Sequence, residues 1–140
     1  MFKVTVRLLR PTGRLPHQAS PGAAGYDVYA AEDVVVPARG RALVPTAIAL
    51  GLPTDVEAQV RPRSGLALHE GIFAHFGTID PDYRGELMVL LFSHRDTDYT
   101  VKAGERIAQI VLAPVVRASF SEGPIDDTER GQRGFGHTGR

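Results

Sequence analysis

Apolar and polar residues alternate in several short segments of this chain, and a period of two is typical of β-strands with one buried face. Residues 2–8 predict a half-buried first strand, and residues 56–61 show the same alternation. The segment 86–92 (ELMVLLF) is apolar on both sides, which predicts a strand covered on both faces. Further extended segments are predicted at residues 34–36, 41–50, 99–102 and 106–116.

Glycine and proline separate these segments. The 15 glycines and 10 prolines interrupt the chain at the spacing of an all-β sandwich or barrel. Only residues 64–71 are predicted to be helical, as one short helix. A sandwich of many short strands leaves open edges and apolar faces, which association of several copies would cover. The pattern predicts one all-β domain over residues 1–120, followed by a flexible C-terminal arm over residues 121–140.

The net charge of the chain gives no reason to expect a polyanionic partner. The 16 basic and 16 acidic side chains cancel, so no net field favours binding to nucleic acid or to a membrane. The chain contains no cysteine, which excludes disulfides, thiolate nucleophiles and cysteine metal ligands. It begins MFKVTVRLLR, which is neither a signal peptide nor a spanning helix. These features predict a cytoplasmic protein.

The glycine-rich end of the chain is a candidate ligand-binding segment. Its last eleven residues, RGQRGFGHTGR, hold four glycines, three arginines and no acid. Such backbone can approach a ligand closely and offer N–H groups to phosphate oxygens. Arg130 could contact a phosphate, and Phe135 could cover a base. A frayed terminus has the same composition, so the tail alone leaves both interpretations open.

Two internal segments combine charge with small residues. Residues 23–33 (AAGYDVYAAED) place Asp27 between two tyrosines, in what could equally be a turn entering a strand. Residues 62–67 (PRSGLA) bring Arg63, Ser64 and Gly65 together after a strand, a combination that suits a phosphate. Ser64 could instead be an ordinary helix N-cap.

Two later segments carry polar residues in unusual places. In residues 77–87 (GTIDPDYRGEL), Asp80 and Asp82 flank a proline that fixes the loop, and Tyr83 follows. The loop could hold a base against a water, or it could be a solvated surface turn. In residues 104–115 (GERIAQIVLAPV), Gln109 interrupts an apolar run and needs hydrogen-bond partners if it is buried. Those partners could be structural or could belong to the loop at residues 62–67.

In order, these four segments and the tail resemble the five motifs of the trimeric dUTPases, and the resemblance covers essentially the whole chain. It implies a distorted jelly-roll β-sandwich that forms a homotrimer. It also implies hydrolysis of dUTP to dUMP and pyrophosphate, with Mg²⁺ as cofactor and a water that attacks the α-phosphorus. That reaction keeps uracil out of DNA and supplies dUMP for thymidylate synthesis.

The resemblance also implies roles for individual residues. Asp80, not Asp82, would orient and deprotonate the water, and Tyr83 would pack on the deoxyribose and exclude a 2′-hydroxyl. Asp27 would support the residues of the phosphate and metal region without touching the ligand itself. The uracil would meet Gly77, Thr78 and Ile79 and be covered by Phe135. The phosphates would be held by Arg63, Ser64, Gly65, Gln109, Arg130, Gly136, His137 and Thr138. Mg²⁺ would be held mainly by substrate phosphates and water, with no direct protein ligand.

The chain departs from the family pattern in two places. Many bacterial relatives use an asparagine before the third motif to read uracil, and this chain contains no asparagine. His75 could replace it, although a surface or packing histidine is the simpler interpretation. In the tail, Arg133 stands where glycine is usual, and it would be strained if that position required a positive φ.

Two other functions fit the same scaffold. A dCTP deaminase would share the fold, but its central motif carries a catalytic glutamate where this chain reads GTIDPDYRGEL. A catalytically silent nucleotide-binding regulator would be expected to lose Asp80 or the tail, and this chain retains both.

Overall fold

The computed structural model of the protein describes residues 1–139. They form ten strands and one helix: β1 (Thr5–Leu8), β2 (Tyr26–Tyr29), β3 (Val34–Val36), β4 (Arg41–Gly51), β5 (Val56–Arg61), α1 (Ser64–Glu70), β6 (Ile72–Ala74), β7 (Gly77–Ile79), β8 (Glu86–Ser93), β9 (Tyr99–Val101) and β10 (Arg106–Pro114). The prediction of an all-β fold with one short helix at residues 64–71 is confirmed. Gly71 ends that helix in the left-handed conformation, which glycine adopts without steric strain.

The strands form two four-stranded sheets and a smaller pair. One sheet has the order β1-β4-β8-β6, the second has the order β2-β10-β5-β7, and β3 pairs with β9. A single apolar core joins the two larger sheets, with Val44, Val89 and Leu91 from the first and Val28 and Val60 from the second. The molecule is therefore an antiparallel β-sandwich. Its second sheet carries the first and fourth predicted motifs and the first residues of the third, and the second motif follows directly after β5.

One face of β8 is only partly covered by this chain. Leu87, Val89 and Leu91 are buried in the core, whereas Met88, Leu90 and Phe92 remain partly exposed on the opposite face. The prediction of a strand covered on both faces is therefore wrong for the outer face in a single chain, where these three side chains keep part of their surface exposed.

The first strand is also shorter and more exposed than its alternation predicts. It spans Thr5–Leu8, and both Phe2 and Leu8 are exposed. Only Val4 and Val6 pack against the core, because β1 lies at the edge of its sheet and has a single neighbour, β4.

A bulge interrupts β4 between Pro45 and Ala49, where its register with β8 shifts. Ala47 lies in this bulge, fully buried, with a φ of 57°. A residue with a Cβ in this region carries strain of about 1–2 kcal/mol, so neighbouring contacts must hold it there. Leu9 donates its N–H to the Ala47 carbonyl at 2.8 Å, and Gly13 lies so close that a Cβ would be 2.5 Å from that oxygen.

After β10 the chain leaves the sandwich. Residues 116–139 are exposed throughout and contain no helix or strand. Val116, Phe120, Ile125 and Phe135 are large apolar residues in this exposed segment. In the part of the chain that the structure describes, no helix has the length and apolar character needed to cross a membrane.

Candidate active site

Three of the predicted motifs meet in one small cavity at the end of the second sheet. The cavity has a volume of about 210 Å³. Its lining consists of Ala19, Asp27, Arg63, Ser64, Gly65, Arg106 and Gln109. The five predicted residues among these come from β2, the start of α1 and β10, which are far apart in sequence. The predicted grouping of Asp27, Arg63, Ser64, Gly65 and Gln109 is thus brought together.

The connection between β5 and α1 presents Arg63, Ser64 and Gly65 to this cavity. Pro62 follows the last residue of β5, and Arg63 is the helix N-cap, with extended backbone angles. No side chain caps this helix end, so the alternative that Ser64 serves as the N-cap is wrong. The Ser64 hydroxyl is therefore not engaged in capping. A Cβ on Gly65 would meet nothing within 4 Å, so the cavity is open at that position.

Asp27 is buried between two arginines. Its Oδ1 lies 3.4 Å from Arg63 Nε, and its Oδ2 lies 3.3 Å from Arg106 Nη1. Arg63 also donates to the main-chain carbonyl of Arg106 at 3.4 Å. A buried carboxylate needs such partners, and here it fixes two guanidinium groups at the cavity. Two cations and one anion leave this lining with a surplus of positive charge, which suits a phosphate chain.

Arg106 is a functional candidate that the sequence analysis missed. A register shift in β10 between Arg106 and Ala108 places Arg106 opposite Tyr29 and Gln109 opposite Asp27. A bulge of this kind re-aims a side chain, and here it turns Arg106 toward Asp27. The only signal in the sequence is indirect, because a buried aspartate in a strand requires a cationic partner.

Gln109 has the partner that the sequence analysis left open. Its side-chain amide donates to the carbonyl of Pro62 at 3.0 Å, so it holds the loop that leads into α1. Gly25 allows this placement, because a Cβ there would lie 2.1 Å from Gln109 Oε1. The glycine of the first motif is therefore required by close packing against the glutamine of the fourth.

The third motif forms a separate cavity on the same sheet. This cavity has a volume of about 220 Å³. It is lined by Val60, Gly77, Thr78, Ile79, Asp80, Tyr83, Glu86, Leu87 and Met88. β7 supplies Gly77–Ile79 and pairs with β5, so the main chain of β7 forms one wall. The predicted base and sugar residues Gly77, Thr78, Ile79 and Tyr83 are brought together here with the predicted catalytic residue Asp80.

The loop between β7 and β8 is tied by its own hydrogen bonds. Tyr83 donates its N–H to the Asp80 carbonyl at 3.1 Å, which closes a turn around Pro81. Arg84 donates to the carbonyls of Pro81 and Tyr83, at 2.7 and 3.0 Å. These contacts fix both Asp80 and Tyr83 relative to β7.

The two aspartates of this loop face different surroundings. Asp80 lines the cavity with Tyr83 and also borders a second hollow on the outside of the loop. Asp82 borders only the outer hollow. The geometry therefore favours Asp80 over Asp82 as the acid that faces a bound ligand.

The described part of the tail is folded on itself by two arginines. Arg130 Nε donates to the Arg133 carbonyl at 2.8 Å, and Arg133 Nε donates back to the Arg130 carbonyl at 3.0 Å. Arg133 also donates to the carbonyl of Glu129. Arg133 is not among the residues with positive φ, so the predicted strain is absent, and its guanidinium closes a turn. The aromatic ring of Phe135 is fully exposed.

His75 lies on the outer face of the first sheet. It is exposed, and its ring centroid lies 6.1 Å from that of Phe92 on the outer face of the first sheet. It does not line the cavity formed by the third motif. The packing interpretation of His75 is the one that the structure supports.

The cavity at Asp27 and the cavity at Tyr83 share no lining residue. Neither of them is lined by any residue of the tail from 130 to 139. The five predicted motifs therefore lie in three separate places on this chain.

Comparisons with known proteins identify the family. A family model described as dUTPase matches residues 12–139. The deoxyuridine 5′-triphosphate nucleotidohydrolase of Syntrophotalea carbinolica is 50% identical over 141 residues, covering 97% of this chain and 96% of the relative. That of Candida albicans is 47% identical over 138 residues, covering 96% and 87%. The Staphylococcus bacteriophage 80alpha dUTPase with dUPNHPP superposes with a TM-score of 0.94 at 25% identity, covering both chains fully. With its fold, its two cavities and these matches, the chain belongs to the dUTPase family.

Proposed function

We propose that the protein hydrolyses dUTP to dUMP and pyrophosphate. The observation that carries this proposal is the division of the site into a cationic cavity at Asp27 and an uncharged main-chain wall beside Asp80 and Tyr83. The first suits a triphosphate and the second suits a nucleoside. The reaction keeps uracil out of DNA and supplies dUMP for thymidylate synthesis, and we place it in the cytoplasm, where these precursors are made.

At the nucleoside end, Gly77, Thr78 and Ile79 offer main-chain groups to the uracil edge. A slot built from hydrogen-bonding groups leaves some of them unpaired when cytosine enters, which discriminates by about 10⁴ or more. Tyr83 lines this cavity, and its ring would pack on the deoxyribose. A 2′-hydroxyl would then meet the ring, so ribonucleotides are excluded by contact.

Asp80 holds the attacking water. The water oxygen forms a bond to the α-phosphorus, the bond from that phosphorus to the bridging oxygen breaks, and pyrophosphate leaves. The proton of the water passes to the Asp80 carboxylate. General-base help of this kind contributes about 10²- to 10⁴-fold, and positioning of the water in line contributes more.

At the phosphate end, Arg63, Ser64, Gly65 and Gln109 contact the phosphates, and Asp27 holds Arg63 in place. Mg²⁺ supplies charge neutralisation when it is bound with the nucleotide. Residues 1–139 contain no group of three or more His, Asp, Glu or Cys side chains that could hold a metal ion. In the proposed complex Mg²⁺ would be held mainly by phosphate oxygens and water, which it prefers to an all-protein site.

The functional unit is a homotrimer with shared sites. The outer face of β8, with Met88, Leu90 and Phe92, supports this assembly because it is apolar and only partly covered in one chain. The separation of the two cavities supports it as well. Each site would take the third motif from one chain, the first, second and fourth motifs from another, and the tail from the last.

The tail acts as a lid over a neighbouring site. Arg130 would grip the γ-phosphate, Phe135 would cover the uracil, and Gly136, His137 and Thr138 would follow the phosphate chain. The exposure of residues 121–139 supports a boundary near residue 120 between the β domain and the arm. Arg140, the last residue of the predicted arm, lies outside the described residues. A mobile lid would become ordered when the nucleotide binds.

One substrate panel tests this function. The protein is incubated with Mg²⁺ and separately with dUTP, dCTP, dTTP and UTP, and pyrophosphate and base identity are followed. Pyrophosphate from dUTP alone supports the proposal. Uracil nucleotide formed from dCTP would identify a deaminase, and tight binding of dUTP without turnover would identify a regulator.

A further inference from the structure

Glu86 makes contacts that none of the proposed roles uses. It is the first residue of β8, it lines the nucleoside cavity beside Tyr83, and its side chain is 20% exposed. Its carboxylate accepts two hydrogen bonds from the Arg10 guanidinium, at 2.8 and 2.7 Å. Those bonds are the largest reason that the pKa of Glu86 lies below its ordinary value. The sequence analysis did not single out either residue.

The Glu86 carboxylate also holds the bulge in β4. Its Oε2 accepts the N–H of Ala47 at 3.0 Å. Ala47 is fully buried and has a positive φ, so this bond satisfies its N–H and adds to the Leu9 contact that holds the strained backbone. The neighbouring Thr46 donates its hydroxyl to the Leu87 carbonyl at 2.5 Å, which ties the same bulge to β8. The first two residues of β8 are therefore fixed to the bulge in β4.

The main chain of Glu86 holds Tyr83. Tyr83 donates its hydroxyl to the Glu86 carbonyl at 2.9 Å. Gly85 makes this fold of the chain possible, because a Cβ there would lie 2.4 Å from the Tyr83 hydroxyl oxygen. The position of the Tyr83 ring in the cavity therefore depends on the position of the Glu86 carbonyl.

We propose that Glu86, fixed by Arg10, is a positioning residue that sets the Tyr83 ring against the sugar and so determines discrimination between deoxyribose and ribose. Arg10 and Ala47 hold the side chain of Glu86, the first residue of β8. The main-chain carbonyl of Glu86 in turn holds the Tyr83 ring through its hydroxyl. This inference rests on the proposed function, since it assigns a determinant of sugar specificity within the same site.

The test compares Glu86→Gln with the unchanged protein on dUTP and UTP. Glutamine keeps the size of the side chain but turns an N–H₂ group toward Arg10, so the two-pronged pairing is lost. We expect the ratio of kcat/KM for dUTP to that for UTP to fall roughly tenfold or more, mainly through a higher KM for dUTP, because small misplacements at a reacting site have effects of up to about 100-fold. An unchanged ratio in folded Glu86→Gln overturns the proposal.

Arg10→Gln provides a second route to the same contact. It leaves the Glu86 carboxylate available to Ala47 and removes only the fixing cation, so it decides the question if Glu86→Gln does not fold. The expected result is a fall of the ratio in the same direction. An unchanged ratio in that variant overturns the proposal as well.

A cycle with Tyr83→Phe separates positioning from general loosening. If Glu86 acts through the Tyr83 hydroxyl, adding Glu86→Gln to Tyr83→Phe changes the ratio less than it does in the unchanged protein. If the two substitutions change the ratio independently, so that their factors multiply in the double variant, Glu86 does not act through the Tyr83 hydroxyl. Asp96→Asn is the control, since Asp96 forms an ion pair with Arg39 and lines neither cavity. We expect it to leave the ratio unaltered. Failure of the unchanged protein to hydrolyse dUTP would instead refute the proposed function.

Discussion

Gly25→Ala tests how closely the first and fourth motifs must pack. The added Cβ would lie 2.1 Å from Gln109 Oε1 and 2.9 Å from its Cδ, far inside contact distance. Gln109 is held in a strand on both sides, so its side chain must rotate away. That movement breaks its hydrogen bond to the Pro62 carbonyl, which measures 3.0 Å.

The size of the effect follows from the bonds that Gln109 would lose. The bond to Pro62 joins two neutral groups and contributes about 1 kcal/mol to the free energy of unfolding. For a domain of this size that corresponds to a lower Tm by about 3 °C. A bond from the same amide to a phosphate is charge-assisted and contributes about 1.5–3 kcal/mol, which is roughly a ten- to hundredfold loss in kcat/KM for dUTP.

The assay is steady-state release of pyrophosphate, run together with thermal melts. Gln109→Ala should show the same loss of kcat/KM, and combining it with Gly25→Ala should add little. Gly22→Ala is the matched control, because it makes the same change three residues earlier and its Cβ would meet nothing within 4 Å. Wild-type kcat/KM in Gly25→Ala would refute the role assigned to Gln109, and so would an equal loss in both glycine variants.

Three further predictions address the acid, the ion pair and the tail. Asp80→Asn should still bind a nonhydrolysable dUTP analogue in calorimetry while kcat falls by about 10²- to 10⁴-fold; full activity would remove Asp80 from its role. Because the pKa of Glu86 is lowered in the folded state, its contribution to stability should be complete at neutral pH and lost as the pH falls through that lowered pKa. Melts of Glu86→Gln should therefore depend less on pH between about 6 and 3 than those of the unchanged protein, and parallel curves would contradict this. Removal of residues 130–140 should leave the Tm within about 1 °C and lower kcat/KM for dUTP, since the described part of this segment forms hydrogen bonds only within itself and to the adjacent Thr128 and Glu129; unfolding would show that the tail is structural.

Local pattern was enough to predict much of the fold. The alternation at Val56–Arg61 identified β5, and the small polar start of residues 64–71 identified α1, because both depend on neighbours within a few positions. The motif residues of two cavities were likewise predicted, since the family resemblance linked segments that no periodicity connects. The roles predicted for the residues in these cavities came from the same resemblance, one motif at a time.

Contacts between distant segments could not be predicted in this way. Arg106 reaches Asp27, 79 positions away, only because of a bulge in β10. Glu86 meets Arg10 and Ala47 through a second bulge, in β4. The bulge in β10 shifts the register by one residue, which reverses the face that a side chain takes, and the bulge in β4 shifts it by two. No alternation pattern in the sequence marks the place of either bulge. The incomplete cover of β8 depends on what lies outside one chain.

Subunit complementation tests most directly whether three copies build each site. Asp80→Asn chains and chains lacking residues 130–140 are co-expressed with different tags, and oligomers that carry both tags are purified. If the tail of one chain closes over the third motif of another, some sites in these oligomers combine an intact Asp80 with an intact tail, and dUTP hydrolysis returns although each parent is nearly inactive. Mixed oligomers no more active than their parents, or a monomeric mass for the unchanged protein, would contradict the shared site.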